Sequence, residues 1–158
     1  PFYRPPALWT TTWKDASVEA AKHAKQRLSN TPMQPIPLAA SYTATLVVTE
    51  AHSAAALGSG DLPVLGTPAM AALMEQAAMQ AITPFLTPEA ESSVGISLQI
   101  AHNRATAIGD TIAAVTHTDG RRIDFAVTAQ DSSGAVIGEG THTRFIVDVQ
   151  KFMARIGK

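Results

Sequence analysis

The chain has 158 residues, of which 46% are hydrophobic and 16% are charged, and its formal net charge is −1. This length and composition indicate one domain with a substantial apolar core, and they exclude a disordered chain. Twelve basic residues against thirteen acidic ones lack the positive excess of a general nucleic-acid binder. The absence of cysteine excludes disulfides, thiolate metal sites and cysteine nucleophiles.

The first 37 residues differ in composition from the rest of the chain. Three of the first six residues are proline, residues 15–28 have the charge distribution of a helix, and residues 29–37 contain three more prolines. We therefore predict an N-terminal arm, helix and linker over residues 1–37 and a separate domain over residues 38–158. Prolines interrupt the longest uncharged stretch, and no apolar leader is visible. We expect a cytoplasmic protein with no membrane partner.

The domain begins with an alternating pattern that predicts a strand over residues 39–48. Thr67-Pro68 predicts a helix over residues 67–82, with Thr67 as the N-cap and Pro84 beyond its end. Because this helix is apolar nearly all round, it must be buried on several sides. We predict an α+β fold in which one antiparallel sheet wraps around this central helix. The remaining predicted elements are strands at 93–101, 111–118, 123–130 and 136–148, turns at 119–120 and 132–134, and a helix at 149–156.

Glu75 is the strongest functional signal because it is the only charged residue between Asp61 and Glu89. A carboxylate on an apolar helix is costly unless it is paired, hydrogen-bonded or protonated. One interpretation places Glu75 and Gln76 on a thin exposed stripe. The other, which we favour, makes Glu75 a site carboxylate that acts as a base or a nucleophile.

Thr67 and His102 are the next candidates. As an N-cap Thr67 needs no further function, but a helix N-terminus also offers N–H groups and partial positive charge to an oxyanion. Glu75 follows eight residues later, about 12 Å along the helix axis and rotated by about 80°, so the two side chains can border one groove. His102 stands at the end of a strand, where a lone histidine is usually structural or solvated. No histidine pair has HxH or HxxxH spacing, and we predict no metal site.

A last candidate is the segment GEGTHTR. Strand alternation places Gly138, Gly140, His142 and Arg144 on one face, and the two glycines leave room beside a ligand or another backbone. Arg144 has two interpretations, as a ligand for phosphate or carboxylate or as part of a surface ion pair. His142, like His117, lies inside a predicted strand and is interpreted as a satisfied core residue or a surface residue. Serine-hydrolase and phosphate-loop motifs are absent from the sequence.

Three segments together resemble one known family. The sequences VLGTPAMAALMEQAAMQAITPFL, SSVGISLQIAH and GEGTHTRFIVDVQKF are similar to hotdog-fold acyl-CoA thioesterases of the fluoroacetyl-CoA thioesterase-like group. The resemblance spans roughly residues 40–155, and the spacing between the three segments also matches. It implies a hotdog fold, a homodimer with sites at the subunit interface, and hydrolysis of an acyl-CoA thioester to free acid and CoA. It also implies that no metal or redox cofactor is needed.

The resemblance assigns roles to five residues. Thr67, Glu75 and His102 match the catalytic trio of the family. Gly95 matches a backbone position near the thioester carbonyl, and Arg144 matches an arginine that binds substrate beside the site.

The chain also departs from the family pattern. Pro68 stands where the related enzyme has glycine, and no aromatic residue lies between Tyr42 and Phe85, so the aromatic lid that accompanies fluoroacetyl selectivity is not expected. Two alternatives remain open on the same fold. One is a hydratase or dehydratase acting on acyl-CoA or acyl carrier protein, and the other is a non-catalytic acyl-CoA-binding protein.

Overall fold

The computed structural model describes residues 35–37, 40–116 and 122–157. The predicted arm and helix before residue 35 and the predicted turn at 119–120 lie outside these ranges, so the division at residue 37 stays a prediction. No helix in the described part of the chain is long and apolar enough to cross a membrane.

The elements follow the predicted order of one strand, a long helix and four further strands. The strands are β1 (Thr43–Val47), β2 (Glu91–His102), β3 (Thr111–Thr116), β4 (Arg122–Gln130) and β5 (Val136–Asp148). The helices are α1 (Thr67–Ile82) and α2 (Val149–Ile156), and single 3-10 turns lie at Glu50–His52 and Thr83–Phe85.

The five strands form one antiparallel sheet in the order β1-β3-β4-β5-β2. Helix α1 contacts all five strands, and the apolar core lies between the helix and the sheet. The predicted α+β arrangement of a sheet around one helix is therefore confirmed. The largest fully buried apolar side chains are Leu65, Met70, Met74, Ile82, Ile112, Ile123, Phe125 and Ile137.

The start of α1 differs from the prediction. Thr67 is not the N-cap, because Gly66 takes that position with an extended backbone, and Thr67 and Pro68 are the first two helical residues. The carbonyl of Gly66 accepts hydrogen bonds from the N–H groups of Ala69 and Met70. The Thr67 hydroxyl therefore does not cap the helix and can form a hydrogen bond elsewhere.

Helix α1 was expected to be buried on several sides, and within this chain one broad face of it is buried. Seven residues of that face are buried, whereas Ala72 and Gln76 on the opposite side are exposed. Helix α1 therefore has an uncovered stripe, and the partly buried Glu75 lies between this stripe and the sheet.

Strand β2 contains a β-bulge that determines which side chains face α1. The pairing with β5 shifts between Gly95 and Ser97, so that Gly95 lies opposite Arg144 and His102 lies opposite Gly138. In a regular strand, residues seven apart point to opposite faces. The extra residue in the bulge places Gly95 and His102 on the same helix-facing side.

Gly140 allows β2 and β5 to approach closely. A Cβ at this position would clash with the Gln99 carbonyl oxygen and lie 2.8 Å from the Ile100 Cα. The sequence left open whether this glycine makes room for a ligand or for another backbone. At Gly140 it makes room for the backbone of β2. We expect Gly140→Ala to lower the free energy of unfolding by about 3 kcal/mol, because the backbone of β2 must move away from β5. Urea unfolding measures this change.

The matched control is Gly157→Ala, since a Cβ there would meet the Met153 carbonyl oxygen at 3.7 Å, an ordinary contact. We expect its free energy of unfolding to change by no more than about 0.5 kcal/mol. Equal stability of the two variants would contradict the close approach of β2 at Gly140.

Candidate active site

The Thr67 hydroxyl and the His102 imidazole form one part of the site. Thr67 Oγ1 lies 3.0 Å from His102 Nδ1, joining the start of α1 to the end of β2. His102 Nε2 is shielded from solvent and has no hydrogen-bond partner among the described residues. The threonine thus holds one ring nitrogen of His102, and the other is a buried polar atom without a partner in the described part of one protomer.

Glu75 and Gly95 form a second part. A Cβ at position 95 would lie 2.6 Å from Glu75 Oε1 and 3.0 Å from His142 Cε1. The missing side chain of Gly95 therefore gives the carboxylate its place against the β2 backbone. The Glu75 side chain is 44% exposed, so it belongs neither to the core nor to an open surface stripe.

A buried polar network lies beneath Glu75. Arg144 is 7% exposed and donates from Nε to Ser93 Oγ (3.0 Å) and from Nη2 to the Ser93 carbonyl (2.9 Å). Its Nη1 lies 3.2 Å from His142 Nε2, which in turn is 3.7 Å from Glu75 Oε1. Arg144 is therefore not part of a surface ion pair, and most of its hydrogen bonds hold it inside the chain.

Burial is the main cause of the pKa shifts in this network. It lowers the pKa of His142 below the ordinary value of 6.5, although the hydrogen bond to the Ser97 carbonyl and the charge of Glu75 act in the opposite direction. Burial also lowers the pKa of Arg144, again opposed by Glu75. The guanidinium still carries its charge at neutral pH, and Glu75 is the carboxylate that attracts it.

The structure brings the predicted residues together in two groups rather than one. Thr67 contacts His102, whereas Glu75 lies with Gly95 and close to the Arg144 network. Thr67 and Glu75 are eight positions apart, which is about 12 Å along α1. Within the described part of one protomer, no contact joins the Glu75 carboxylate to Thr67 or His102.

The N-terminus of α1 offers fewer free donors than the sequence suggested. Two N–H groups of the first turn, those of Ala69 and Met70, are bonded to the Gly66 carbonyl, and Pro68 has no N–H. No group of three or more His, Cys, Asp or Glu in the described ranges could hold a metal ion. The prediction of a site without metal or cofactor stays a prediction.

Sequence reasoning missed the place of His142 in this network. It was interpreted as a satisfied core residue or a surface residue, yet it lies between Arg144 and Glu75. The available signal was strand alternation, which placed His142 on the same face as Arg144. Ser93 carried no comparable signal, because its role depends on the pairing of β2 with β5.

The chain matches known proteins over most of this domain. The family model of the fluoroacetyl-CoA-specific thioesterase FlK matches residues 48–150, which is more than half of the chain. The fluoroacetyl-CoA thioesterase of Streptantibioticus cattleyicolor is 36% identical over 96 residues, covering 59% of this chain and 68% of the relative. The match contains Thr67, Glu75, Gly95, His102 and Arg144 within its family-model range.

Solved structures agree with this match. A structure of the fluoroacetyl-CoA thioesterase FlK has a TM-score of 0.69 at 30% identity, covering 76% of this chain and 94% of that chain. A hot-dog-like protein from Thermanaerovibrio acidaminovorans has a TM-score of 0.68 at 20% identity, covering 77% and 90%, and supports the fold alone. The resemblance seen in the sequence is confirmed. The chain therefore belongs to the fluoroacetyl-CoA-specific thioesterase family, has the hotdog fold, and is an acyl-CoA thioesterase.

Proposed function

We propose that the chain hydrolyses short acyl-CoA thioesters with Thr67, Glu75 and His102 as its catalytic residues. Water adds to the thioester carbonyl, the carbon–sulfur bond breaks, and the products are the free acid and the CoA thiol. The observation that carries this proposal is the Glu75 carboxylate held against Gly95, where a missing side chain gives the carboxylate its place beside the β2 backbone. A half-exposed carboxylate over a buried arginine is suited to proton transfer or attack.

Each of the three residues has a chemical task. Glu75 takes a proton from water or attacks the carbonyl to form an acyl-enzyme, and both routes require an ionised carboxylate. His102 uses its unpaired Nε2 to polarise the carbonyl or to carry a proton to the leaving thiolate. Thr67 holds the other ring nitrogen and positions the acyl group or the water.

Gly95 and Arg144 form the substrate side of the proposal. Gly95 brings the β2 backbone close to the Glu75 carboxylate, and the thioester carbonyl binds beside that backbone, next to the carboxylate. Arg144 contributes a fixed positive charge near the reacting carbonyl, favouring the negative charge that develops on its oxygen. The chemistry needs no metal or redox cofactor.

We further propose that two copies of the chain complete the site. The two groups of residues lie about 12 Å apart along α1, which is too far for one small acyl group to reach within one protomer. Among the described strands β2 pairs with β5 alone and forms an edge of the sheet. An edge strand of twelve residues is suited to pairing with a second copy.

The positions of the two groups define the expected pairing. Gly95 and His102 both face the helix side of the sheet, and directly opposed residues of antiparallel strands share a face. If two β2 strands pair about a two-fold axis at Gln99, Leu98 lies opposite Ile100 of the partner subunit, and both face the helix side. The extra residue of the bulge then brings Gly95 opposite His102 of the partner subunit. Glu75 then approaches Thr67 and His102 of the other protomer.

The experiment measures thiol release, with a thiol-reactive dye, from a panel of acetyl-, fluoroacetyl-, propionyl- and butyryl-CoA. We expect saturable CoA release from at least one of these thioesters. Crotonyl-CoA is the control for a hydratase, because adding water to its double bond consumes the enoyl group without releasing a thiol. Hydration of crotonyl-CoA without hydrolysis of any thioester, or binding without turnover, would contradict the proposal.

A further inference from the structure

His142 is a buried titratable group that the proposed chemistry does not use. Its side chain is fully buried, and its ring stacks on Phe125 with centroids 6.1 Å apart and an interplanar angle of 24°. Both ring nitrogens nevertheless have polar neighbours, at the Ser97 carbonyl and at Arg144. A side chain needed only to fill the core would be cheaper without these polar atoms.

The neighbours of the ring determine its tautomer. Nδ1 lies 2.8 Å from the Ser97 carbonyl oxygen, which only accepts, so Nδ1 carries a hydrogen. Nε2 lies 3.2 Å from Nη1 of Arg144, which only donates, so Nε2 presents a lone pair. The ring is therefore neutral and is held in one tautomer and one orientation.

This tautomer leaves Arg144 as the cation opposite Glu75. The charged or titratable groups facing the ring are Glu75 from α1 and Arg144 from β5. The neighbours from β2 and β4 are the Ser97 carbonyl and Phe125, which carry no charge. A neutral acceptor at Nε2 orients the guanidinium without competing for the carboxylate.

We propose that His142 is a positioning residue that holds the guanidinium of Arg144 toward Glu75 and so keeps the carboxylate in place for catalysis. The effect on catalysis rests on the proposed function, whereas the tautomer and the hydrogen bond to Arg144 do not. Without the lone pair of Nε2, the Nη1 donor of Arg144 is buried without this acceptor, and the guanidinium can turn away from Glu75.

Two variants separate this role from packing. In His142→Gln an amide oxygen can accept from Arg144 and the amide N–H can donate to the Ser97 carbonyl, whereas His142→Phe retains only a ring against Phe125. We expect His142→Phe to lower kcat for the best acyl-CoA substrate by about tenfold or more, with KM within about threefold. His142→Gln should retain kcat within about threefold, and rates are normalised to folded protein measured by circular dichroism.

Nitrogen NMR of the wild-type protein tests the tautomer independently of activity. With ¹⁵N-histidine, we expect one ring with a protonated Nδ1 and a bare Nε2, whose titration midpoint lies below the ordinary 6.5. His142→Gln identifies that resonance by its disappearance. A protonated Nε2, a midpoint at or above 6.5, or equal kcat for the Gln and Phe variants would overturn the proposal. Absence of wild-type hydrolysis with the predicted tautomer present would instead overturn the proposed function.

Discussion

Glu75→Gln should lower kcat for acyl-CoA hydrolysis by about a hundredfold or more, because an amide neither takes a proton from water nor attacks a thioester. Glu75→Ala should be at least as impaired. Both variants should remain folded, since the side chain is 44% exposed and its removal leaves no large cavity. Thiol release at saturating substrate measures the loss, and thermal unfolding checks the fold.

Glu139→Gln is the matched control for the charge change. Glu139 is exposed on β5, on the face opposite to His142, and the same substitution there removes one negative charge from the outer face of the sheet. We expect its kcat to equal that of the wild type. If Glu75→Gln also keeps the wild-type kcat, the assignment of Glu75 as the catalytic carboxylate is wrong.

Mixing two inactive variants should restore activity if the site spans two subunits. A dimer of one Glu75→Gln chain and one His102→Ala chain has one site with both defects and one site with neither. Random exchange makes half of the dimers mixed, so we expect about one quarter of the wild-type activity to return. The variants are refolded together from urea and assayed for thiol release against each variant alone.

The control for this experiment mixes Glu75→Gln with Glu75→Ala, which cannot produce an intact site in any arrangement. We expect no recovery in that mixture. No recovery with the Glu75→Gln and His102→Ala pair, in protein that sedimentation shows to be dimeric, would mean that Glu75 and His102 act within one protomer. Sedimentation of the wild type as a monomer would contradict the proposed homodimer itself.

Much of the fold could be predicted because local signals were strong. Thr67-Pro68 and Pro84 bracket α1, whose observed bounds are the predicted ones. The predicted bounds of β5 and α2 also match, because alternation ends where the Asp148 side chain accepts the Lys151 N–H and caps the last helix. An isolated carboxylate on an apolar helix was enough to select Glu75 as a candidate.

What the sequence could not reveal depends on contacts between distant segments. Gly66 rather than Thr67 caps α1, and the threonine hydroxyl instead meets His102, 35 residues later. The role of His142 depends on the Ser97 carbonyl, which approaches it only when β2 pairs with β5, and on the direction that Ser93 of β2 gives to the Arg144 guanidinium. Alternation predicted a shared face for His142 and Arg144, but not the tautomer or the direction of the guanidinium.

Because of the bulge, the site depends on how many residues β2 contains between Gly95 and His102, and less on which residue occupies the bulge. Ile96 lies inside the bulge with its side chain 56% exposed, so many residue types would fit there. Deleting it would restore the regular pleat and turn either Gly95 or His102 away from the helix. Substitutions at position 96 are thus compatible with the site. Inserting or deleting one residue between Gly95 and His102 would instead put these two residues on opposite faces of the sheet.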